Sequence, residues 1–196
     1  MNKKLTLRQA LVFLLLLPIA LASFGEVITF DDLDTPGQGG PTPLGYHGFN
    51  WMGFYYQNAI VETAAYGTNG FWYGMVSPSN VIFSVSDMPE INASNAPFNF
   101  ASAYITPELN SNMNILVQGF SGTELLYSLT ATAISSQATL VDFDFQNVTR
   151  VTFTPPETGQ QFVMDNVSID IIPEPSSFIL AAVGLAGILG LHRRRR

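Results

Sequence analysis

The central part of the chain is a series of short runs rich in Val, Ile, Phe, Tyr and Thr, separated by Gly, Pro, Asn and Ser. No long stretch has the 3.6-residue apolar period of an amphipathic helix, so the pattern indicates strands. We predict ten strands: Glu26–Asp32, Phe49–Tyr56, Phe71–Val76, Val81–Ser86, Phe98–Ile105, Asn114–Phe120, Glu124–Ala131, Thr139–Phe145, Thr149–Thr154 and Gln161–Ile171. Ser121-Gly122-Thr123 marks the clearest hairpin. The sequence therefore predicts an all-β fold, an antiparallel β-sandwich of the jelly-roll type.

The amino-terminal end differs from this central part. Lys3, Lys4 and Arg8 precede an apolar run over residues 11–22, which closes with Ala20-Leu21-Ala22. A basic start, a short apolar run and small residues at its end are typical of a secretory signal peptide. We predict a signal peptide over residues 1–22, removed by signal peptidase.

The carboxyl-terminal end combines a proline hinge, an apolar run and a cluster of arginines. Pro173, Glu174 and Pro175 precede an apolar helix predicted over residues 178–191. These 14 residues reach about 21 Å as a helix, short of the roughly 30 Å of a bilayer core. The cluster that follows consists of Arg193, Arg194, Arg195 and Arg196. Because arginines beside a membrane segment favour the cytoplasmic side, the body before the hinge would lie on the opposite side.

The order of these carboxyl-terminal elements resembles the PEP-CTERM sorting signal of Gram-negative, exopolysaccharide-making bacteria. The resemblance implies recognition by a membrane-embedded exosortase, cleavage near Pro173-Glu174-Pro175, and delivery from an inner-membrane intermediate to the cell surface or extracellular matrix. The chain then divides into a signal peptide (1–22), a β-sandwich domain (23–172) and a sorting signal (173–196). An ordinary carboxyl-terminal membrane anchor is the alternative.

The charge balance of residues 23–172 is strongly acidic. Of eight Lys and Arg residues, three precede residue 23 and four follow residue 192, which leaves Arg150 against 14 of the 15 acidic residues. A net charge of about −13 argues against nucleic-acid and anionic-membrane partners, and it is compatible with divalent cations and neutral sugars. The chain has no cysteine, which excludes disulfides, thiol catalysis and cysteine-based zinc sites.

Two carboxylates fall in phase with apolar residues of the predicted terminal strands. Asp32 alternates with Ile28 and Phe30, and Asp165 alternates with Val163 and Val167. A buried carboxylate needs a cation or several hydrogen bonds, and Arg150 points outward in its own strand. One hypothesis is a structural Ca²⁺ joining the first and last strands. Its ligands would be Asp32 and Asp165, with Asp31, Glu26 or Asn166 as further candidates. The alternatives are backbone N–H groups, a loop start at Asp32, and an edge position in water for Asp165.

Aromatic residues are concentrated between residues 46 and 73. Neighbouring aromatics in a strand point to opposite faces, so some of them must lie outside the core. The candidates for a solvent-facing ligand platform are Trp51, Trp72, Tyr46 and Tyr73. A flat ring of this kind suits the apolar face of a sugar, although it can equally cover a neighbouring loop.

A second resemblance concerns the body. The segments 28–33, 98–104 and 162–167 are similar to parts of extracellular jelly-roll domains of the carbohydrate-binding-module type, some of which hold calcium between their end strands. This resemblance implies a jelly-roll fold and contact with exopolysaccharide.

The sequence favours a protein without catalytic activity. His47 is the single histidine of the body and lies in a Gly-rich loop without a nucleophile motif. Asp142 and Asp144 share one side of a predicted strand, but Phe143 and Phe145 fill the other, as expected of a solvent-facing side. We predict a structural or glycan-contacting surface protein. The alternatives are a glycan-active hydrolase using surface carboxylates and a protein-binding adhesin.

Overall fold

The computed structural model describes residues 25–34, 39–93, 96–109, 111–172 and 184. The predicted signal peptide, Pro173-Glu174-Pro175 and the arginine cluster lie outside these residues, as does the apolar run except for Gly184, which is helical. None of the helices in the described part has the length and apolarity needed to cross a membrane.

Strands account for most of the described chain. They are β1 (Glu26–Ile28), β2 (Gly40–Pro41), β3 (Phe49–Met52), β4 (Phe54–Asn58), β5 (Asn80–Ser84), β6 (Glu90–Ala93), β7 (Phe98–Pro107), β8 (Asn112–Ser121), β9 (Glu124–Ile134), β10 (Thr139–Val148), β11 (Arg150–Thr154) and β12 (Phe162–Ile171). Two helices, α1 (Ala59–Tyr66) and α2 (Gly70–Gly74), lie between β4 and β5.

The strands form two antiparallel sheets. The first sheet has the order β10-β7-β12-β5-β4-β2, with β1 beside β12, and the second has the order β3-β6-β11-β8-β9. Of strands β5 to β12, the first sheet contains β5-β12-β7-β10 and the second contains β6-β11-β8-β9. This is the two-Greek-key arrangement of a jelly roll. The predicted fold class is confirmed, and the predicted hairpin joins β8 to β9 through Gly122, whose φ is 58°.

Aromatic rings fill much of the core between the two sheets. Phe54 packs edge-on against Phe153 and Phe162, with ring centroids 5.8 and 6.0 Å apart. Trp51 is buried in the same cluster, next to Phe30. Full burial of one such side chain contributes about 1.5–3 kcal/mol, so this core stabilises a cysteine-free domain by apolar burial.

The predicted strand Phe71–Val76 is wrong, because Gly70–Gly74 forms the short helix α2. The side chain of Asn69 accepts the N–H of Phe71 and so caps the start of α2. Asn58 caps α1 in the same way, by accepting the N–H groups of Ile60 and Val61. Here the two caps and the packing of Phe71 prevail over the β-propensity of consecutive aromatic residues.

The segment 59–77, which we call the helical cap, lies on the outer face of the first sheet. Ala59 and Phe71 form a second apolar cluster with Val81 and Val163 of the sheet. The N–H of Gly70 donates to the carbonyl of Glu108 (2.8 Å), so α2 begins in direct contact with the end of β7. The sheet therefore has the sandwich core on one face and the helical cap on the other.

A β-bulge in β12 changes which side chains face the core. Asn166 has a φ of 47°, and the pairing of β12 with β7 shifts register between Asp165 and Ser168. Val167 lies in the main core, whereas Val163 lies in the cluster under the helical cap. The prediction that Asp165 shares the inward phase of Val167 is wrong, because the bulge leaves Asp165 buried on the cap side.

Gly70 provides a test of how the helical cap is seated. A Cβ at this position would lie 2.1 Å from the carbonyl oxygen of Pro107, whereas one at Gly40 would meet nothing within 4 Å. We expect Gly70→Ala to lower the free energy of unfolding by about 1–3 kcal/mol, since the backbone must shift. Chemical denaturation measures this change. Gly40→Ala is the control, and equal effects of the two substitutions would contradict the packing described for Gly70.

Candidate functional site

Two adjoining clefts lie between the helical cap and the loops of the first sheet. The larger has a volume of about 290 Å³ and contains two carboxylates, two amides and three aromatic rings. Its lining residues are Gln57, Glu62, Tyr66, Phe71, Phe83, Glu108 and Gln161. The smaller, of about 200 Å³, is lined in part by Asn69, Tyr73, Glu108 and Ser135. Because both clefts contain Glu108, we treat them as one site, the cap clefts.

Glu108 is held at the junction of the cap clefts by its own backbone. Its N–H donates to the carbonyl of Gln161 (3.0 Å), and its carbonyl accepts the N–H of Gly70. Burial raises the pKa of the Glu108 carboxyl, and the negative charge of Glu62 raises it further. The side chain is therefore a partly desolvated acid next to a second acid.

Glu62 is oriented by a buried amide. The Nε2 of Gln57 donates to Glu62 Oε2 at 3.0 Å, and the Gln57 side chain is buried in β4. Among the described residues, no Lys or Arg lines either cleft. Arg150, the cation of the body, lies on the second sheet, where it pairs with Glu90 (3.5 Å) and covers the ring of Phe120 (4.4 Å). The cap clefts thus present acceptors without a compensating cation.

Of the four aromatic residues predicted to form a solvent-facing platform, two are exposed and two are buried. Trp72 and Tyr73 are 44% and 41% exposed on α2, and Tyr73 lines the smaller cleft. Trp51 is only 4% exposed and donates its Nε1–H to the carbonyl of Tyr46, which is itself buried. Trp51 and Tyr46 are therefore core residues and offer no open ring face, which corrects the sequence prediction for both.

Several residues of the cap clefts escaped the sequence analysis. Tyr66 is 68% exposed at the end of α1, and Glu62 lies in the first turn of the same helix. Asn58 followed by an acid in the first turn is a helix-start signal that could have identified α1. Glu108 and Gln161 are brought to the clefts by tertiary contacts between distant segments, and no local pattern marks them.

A second polar cluster connects the loop around His47 to the first strand. His47 Nδ1 contacts Glu26 Oε1 at 2.5 Å, and His47 Nε2 lies 3.6 Å from Asp32 Oδ2. The hydroxyl of Tyr46 donates to Asp32 Oδ1 at 2.5 Å. This hydrogen bond is the main cause that lowers the pKa of Asp32, while burial and the Asp32 carboxylate raise the pKa of Tyr46. His47 therefore has two carboxylate partners that the sequence did not reveal.

The predicted inward position of Asp32 is wrong, because β1 ends at Ile28 and the chain turns after Phe30. Phe30 has a φ of 63°, and the Leu33 N–H donates to its carbonyl. Asp32 is consequently exposed, as in the alternative that placed it at the start of a loop. Asp31 turns the other way and accepts the N–H of Asn80 at 2.9 Å.

Asp165 is fully buried and satisfied by backbone donors. Its carboxylate accepts the N–H groups of Val76 (2.7 Å), Ser77 (2.8 Å) and Asn166 (2.7 Å). Burial raises the pKa of Asp165 to about 6 against the effect of these hydrogen bonds, and the charge of Asp31 adds to the rise. The carboxylate anchors residues 76 and 77, at the end of the helical cap, to β12.

The calcium site stays a prediction. Within the described ranges, no three or more His, Cys, Asp or Glu side chains come together in a way that could hold a metal ion. The structure groups Glu26 with Asp32 around His47, whereas Asp165 and Asn166 lie with the end of the helical cap. Backbone N–H groups, one of the alternatives left open by the sequence, satisfy Asp165.

The remaining acid pair is on the solvent side of β10. Asp142 and Asp144 are exposed, whereas Phe143 and Phe145 are buried in the core. This is the arrangement that the sequence predicts for a half-buried strand. Neither aspartate is among the described residues that line the cap clefts.

Comparison with known protein families identifies the carboxyl-terminal segment. Residues 172–196 match the PEP-CTERM protein-sorting motif. The match confirms the first resemblance, and the motif implies processing by an exosortase. Among curated protein sequences, none matches this chain.

Solved structures similar to this chain include carbohydrate-binding modules. The CBM22-1 xylan-binding domain of Xyn10C from Paenibacillus barcinonensis has 10% identity and a TM-score of 0.44, covering 77% of this chain and 97% of its own. A family 29 carbohydrate-binding module from Piromyces equi has 12% identity and a TM-score of 0.40, covering 78% and 93%. A family two carbohydrate esterase from Cellvibrio japonicus has 12% identity and a TM-score of 0.34, covering 79% and 36%. All three TM-scores are below 0.5, so the function is argued below from the chain's own residues.

The raised pKa of Asp165 predicts a pH-dependent stability. Because the folded-state pKa of about 6 exceeds the ordinary aspartate pKa of 3.8, the contribution of Asp165 to stability is present below about pH 4 and is lost as pH rises through 6. We expect the free energy of unfolding of the wild type, minus that of Asp165→Asn, to fall by about 2 kcal/mol between pH 4 and 6.5.

Urea denaturation across this pH range measures the difference. Asp142→Asn, which removes an exposed carboxylate of β10, provides the control. A difference for Asp165→Asn that stays constant from pH 4 to 6.5 would contradict the assignment.

Proposed function

We propose that this chain is a non-catalytic cell-surface or exopolysaccharide-matrix protein whose cap clefts bind a neutral glycan. The observation that carries the proposal is the composition of the cap clefts, whose described lining consists of acids, amides and aromatic rings with small polar residues and contains no Lys or Arg. The sorting motif at 172–196 supports the location. Signal peptidase and an exosortase are the processing enzymes in this proposal, and the protein passes through an inner-membrane intermediate.

The polar groups of the cap clefts suit the hydroxyl groups of a sugar. Carboxylates accept hydrogen bonds, and amides both donate and accept them, so Glu62, Glu108 and Gln161 can bind hydroxyls in either role. Hydrogen bonds to charged groups contribute about 1.5–3 kcal/mol each. Several such bonds at one site give a sugar a defined orientation.

The aromatic rings supply the apolar part of the interaction. Tyr66 lines the larger cleft, Tyr73 lines the smaller one, and Glu108 lines both. Trp72 is exposed on the same helix as Tyr73. A ring of this kind buries the C–H face of a sugar while its neighbours bind the hydroxyls. The larger cleft, of about 290 Å³, is of the size of the smallest ligand pockets, which suits one or two sugar units.

The charge of the site favours neutral over acidic glycans. Uronic-acid or sulfated sugars would bring further negative charge next to Glu62 and Glu108, and no Lys or Arg is found in the part of the cleft lining that the structure describes. The net charge of about −13 over residues 23–172 adds long-range repulsion. A neutral polysaccharide meets neither penalty.

A glycan hydrolase is the second candidate, and one observation favours it. Burial raises the pKa of Glu108, which lies in one cleft with Glu62, and an acid with a raised pKa near a second carboxylate is the usual arrangement for glycoside hydrolysis. Turnover of a neutral polysaccharide that is abolished by Glu108→Gln would make the protein an enzyme. Asp142 and Asp144 remain the alternative surface carboxylates for such an activity, with Asp142→Asn and Asp144→Asn as their tests.

We expect the protein to bind cellohexaose or xylohexaose and not the acidic hexagalacturonate. Tyr66→Ala should weaken the affinity about tenfold through lost ring contact, and Glu108→Gln about tenfold to a hundredfold through a lost charged hydrogen bond. Isothermal titration calorimetry measures both changes. The matched controls are Tyr66→Phe, which keeps the ring, and Glu124→Gln, which removes an exposed acid of β9.

Equal affinities for the wild type, Tyr66→Ala and Glu108→Gln would remove the cap clefts as the binding site. Binding to another protein without binding to any of these sugars would favour the adhesin alternative.

A further inference from the structure

The two sheets leave four edges within the described residues, and three of them are unsuited to pairing with another chain. On the first sheet, β1 has three residues and β2 has two, one of which is Pro41. On the second sheet, β3 has four residues. At the other edge of the first sheet, β10 has two register shifts, positive φ at Asp144 and Asn147, and the charge of Asp142. Short strands, proline, bulges and charges are the usual protection of sheet edges.

The fourth edge, β9, lacks these protections over most of its length, because its charge (Glu124) and its register shift (beside Phe120) both lie at one end. It is 11 residues long, and residues 125–134 contain no charged residue, proline or glycine. Its pairing with β8 is regular from Tyr127 to Ile134, and no described strand pairs with its other side. In an antiparallel ladder about every second residue directs its N–H and C=O groups away from the neighbour, so β9 presents about five open donor and acceptor pairs.

A second copy of this chain fits the β9 edge, because it brings a strand of the same length with the same open side. Residues 23–172 carry 14 acids and one base, so most contacts between two copies bring like charges together. The β9 edge is the exception. In an antiparallel β9–β9 pair centred near Leu129, the two Glu124 side chains lie at opposite ends, about 34 Å apart, which is several Debye lengths at physiological salt.

The exposed side chains of β9 suit such a pair. Ser128, Thr130 and Thr132 are exposed on the outer side of the strand, while Ala131 and Ala133 are buried on the inner side. With Leu129 at the centre, Ser128 of one copy lies opposite Thr130 of the other, and cross-strand Thr–Ser neighbours stabilise antiparallel pairs by about 0.2–1 kcal/mol each. The same residues contribute identically from both copies, as a two-fold interface requires.

We propose that two copies of this protein pair antiparallel through β9 and so join their five-stranded sheets into one continuous sheet. The interaction concerns the opposite sheet from the cap clefts, and it does not depend on glycan binding. A dimer of this kind would carry two cap clefts and could bridge two polysaccharide chains.

Sedimentation velocity of the protein, purified in the form that its host produces, tests the pairing. We expect a dimer whose affinity rises from 0.1 to 0.5 M NaCl, because salt screens the repulsion between two acidic bodies. Thr130→Glu places like charges near the middle of the pair and should weaken the dimer at least tenfold. Thr130→Val and Gln146→Glu, the latter adding the same charge to β10, should leave the dimer affinity unchanged.

A wild type that is monomeric at about 200 μM protein in 0.5 M NaCl would overturn the proposal. So would a Thr130→Glu dimer as tight as that of the wild type. Circular dichroism of each sample shows whether the variant is folded. Should Thr130→Glu not fold, hydrogen exchange of the wild type decides, since the amides of β9 must become more protected as the protein concentration rises.

Discussion

The buried carboxylate of Asp165 is the interaction on which the arrangement of the helical cap depends. It accepts three backbone N–H groups, two of them from Val76 and Ser77 at the end of the cap. At the other side of the cap, Gly70 begins α2 against Glu108. These two attachments hold the helices on the outer face of the first sheet. The cap clefts lie between these helices and the ends of the strands below, so their shape follows from the two attachments.

The bulge in β12 lets Asp165 and the core residues that follow it face opposite sides of the first sheet. Phe162 and Met164 face the core, so strict alternation would have placed Val167 on the cap side together with Val163 and Asp165. The positive φ of Asn166 changes the phase and brings the N–H of Asn166 itself to the carboxylate. One irregular residue therefore separates the apolar core from a polar anchor on the same strand. The two faces of the first sheet can then serve different purposes.

The sequence predicts the fold well because its signals are local. Runs of β-branched and aromatic residues predicted most strands within a few residues, and Ser121-Gly122-Thr123 predicted the β8–β9 hairpin. Helix α2 was predicted as a strand because three consecutive aromatics favour strands, while the deciding features are an Asn69 cap and a contact with Glu108. The orientation of Asp165 was missed because the sequence does not mark the bulge at Asn166, where the alternation of side chains along β12 changes.

The candidate site was less predictable than the fold. Trp72 and Tyr73 were correctly expected to face solvent, but Trp51 and Tyr46 differ from them only in tertiary packing. Glu62 and Glu108 are 46 positions apart in the chain and meet only because the helical cap folds onto the sheet. The partners of His47 are likewise distant in sequence. Such constellations depend on the topology, and a periodic pattern carries no information about them.

Every proposed role of the cap clefts lies outside the cell. Each role therefore depends on the claim that an acidic jelly-roll domain is exported and separated from a sorting tail. The intact mass of the protein, recovered from surface and secreted fractions of its host, tests this claim most directly. We expect a species that lacks residues 1–22 and everything from near Pro173 onward. A species that retains residues 178–196 would contradict it and make the tail a plain membrane anchor.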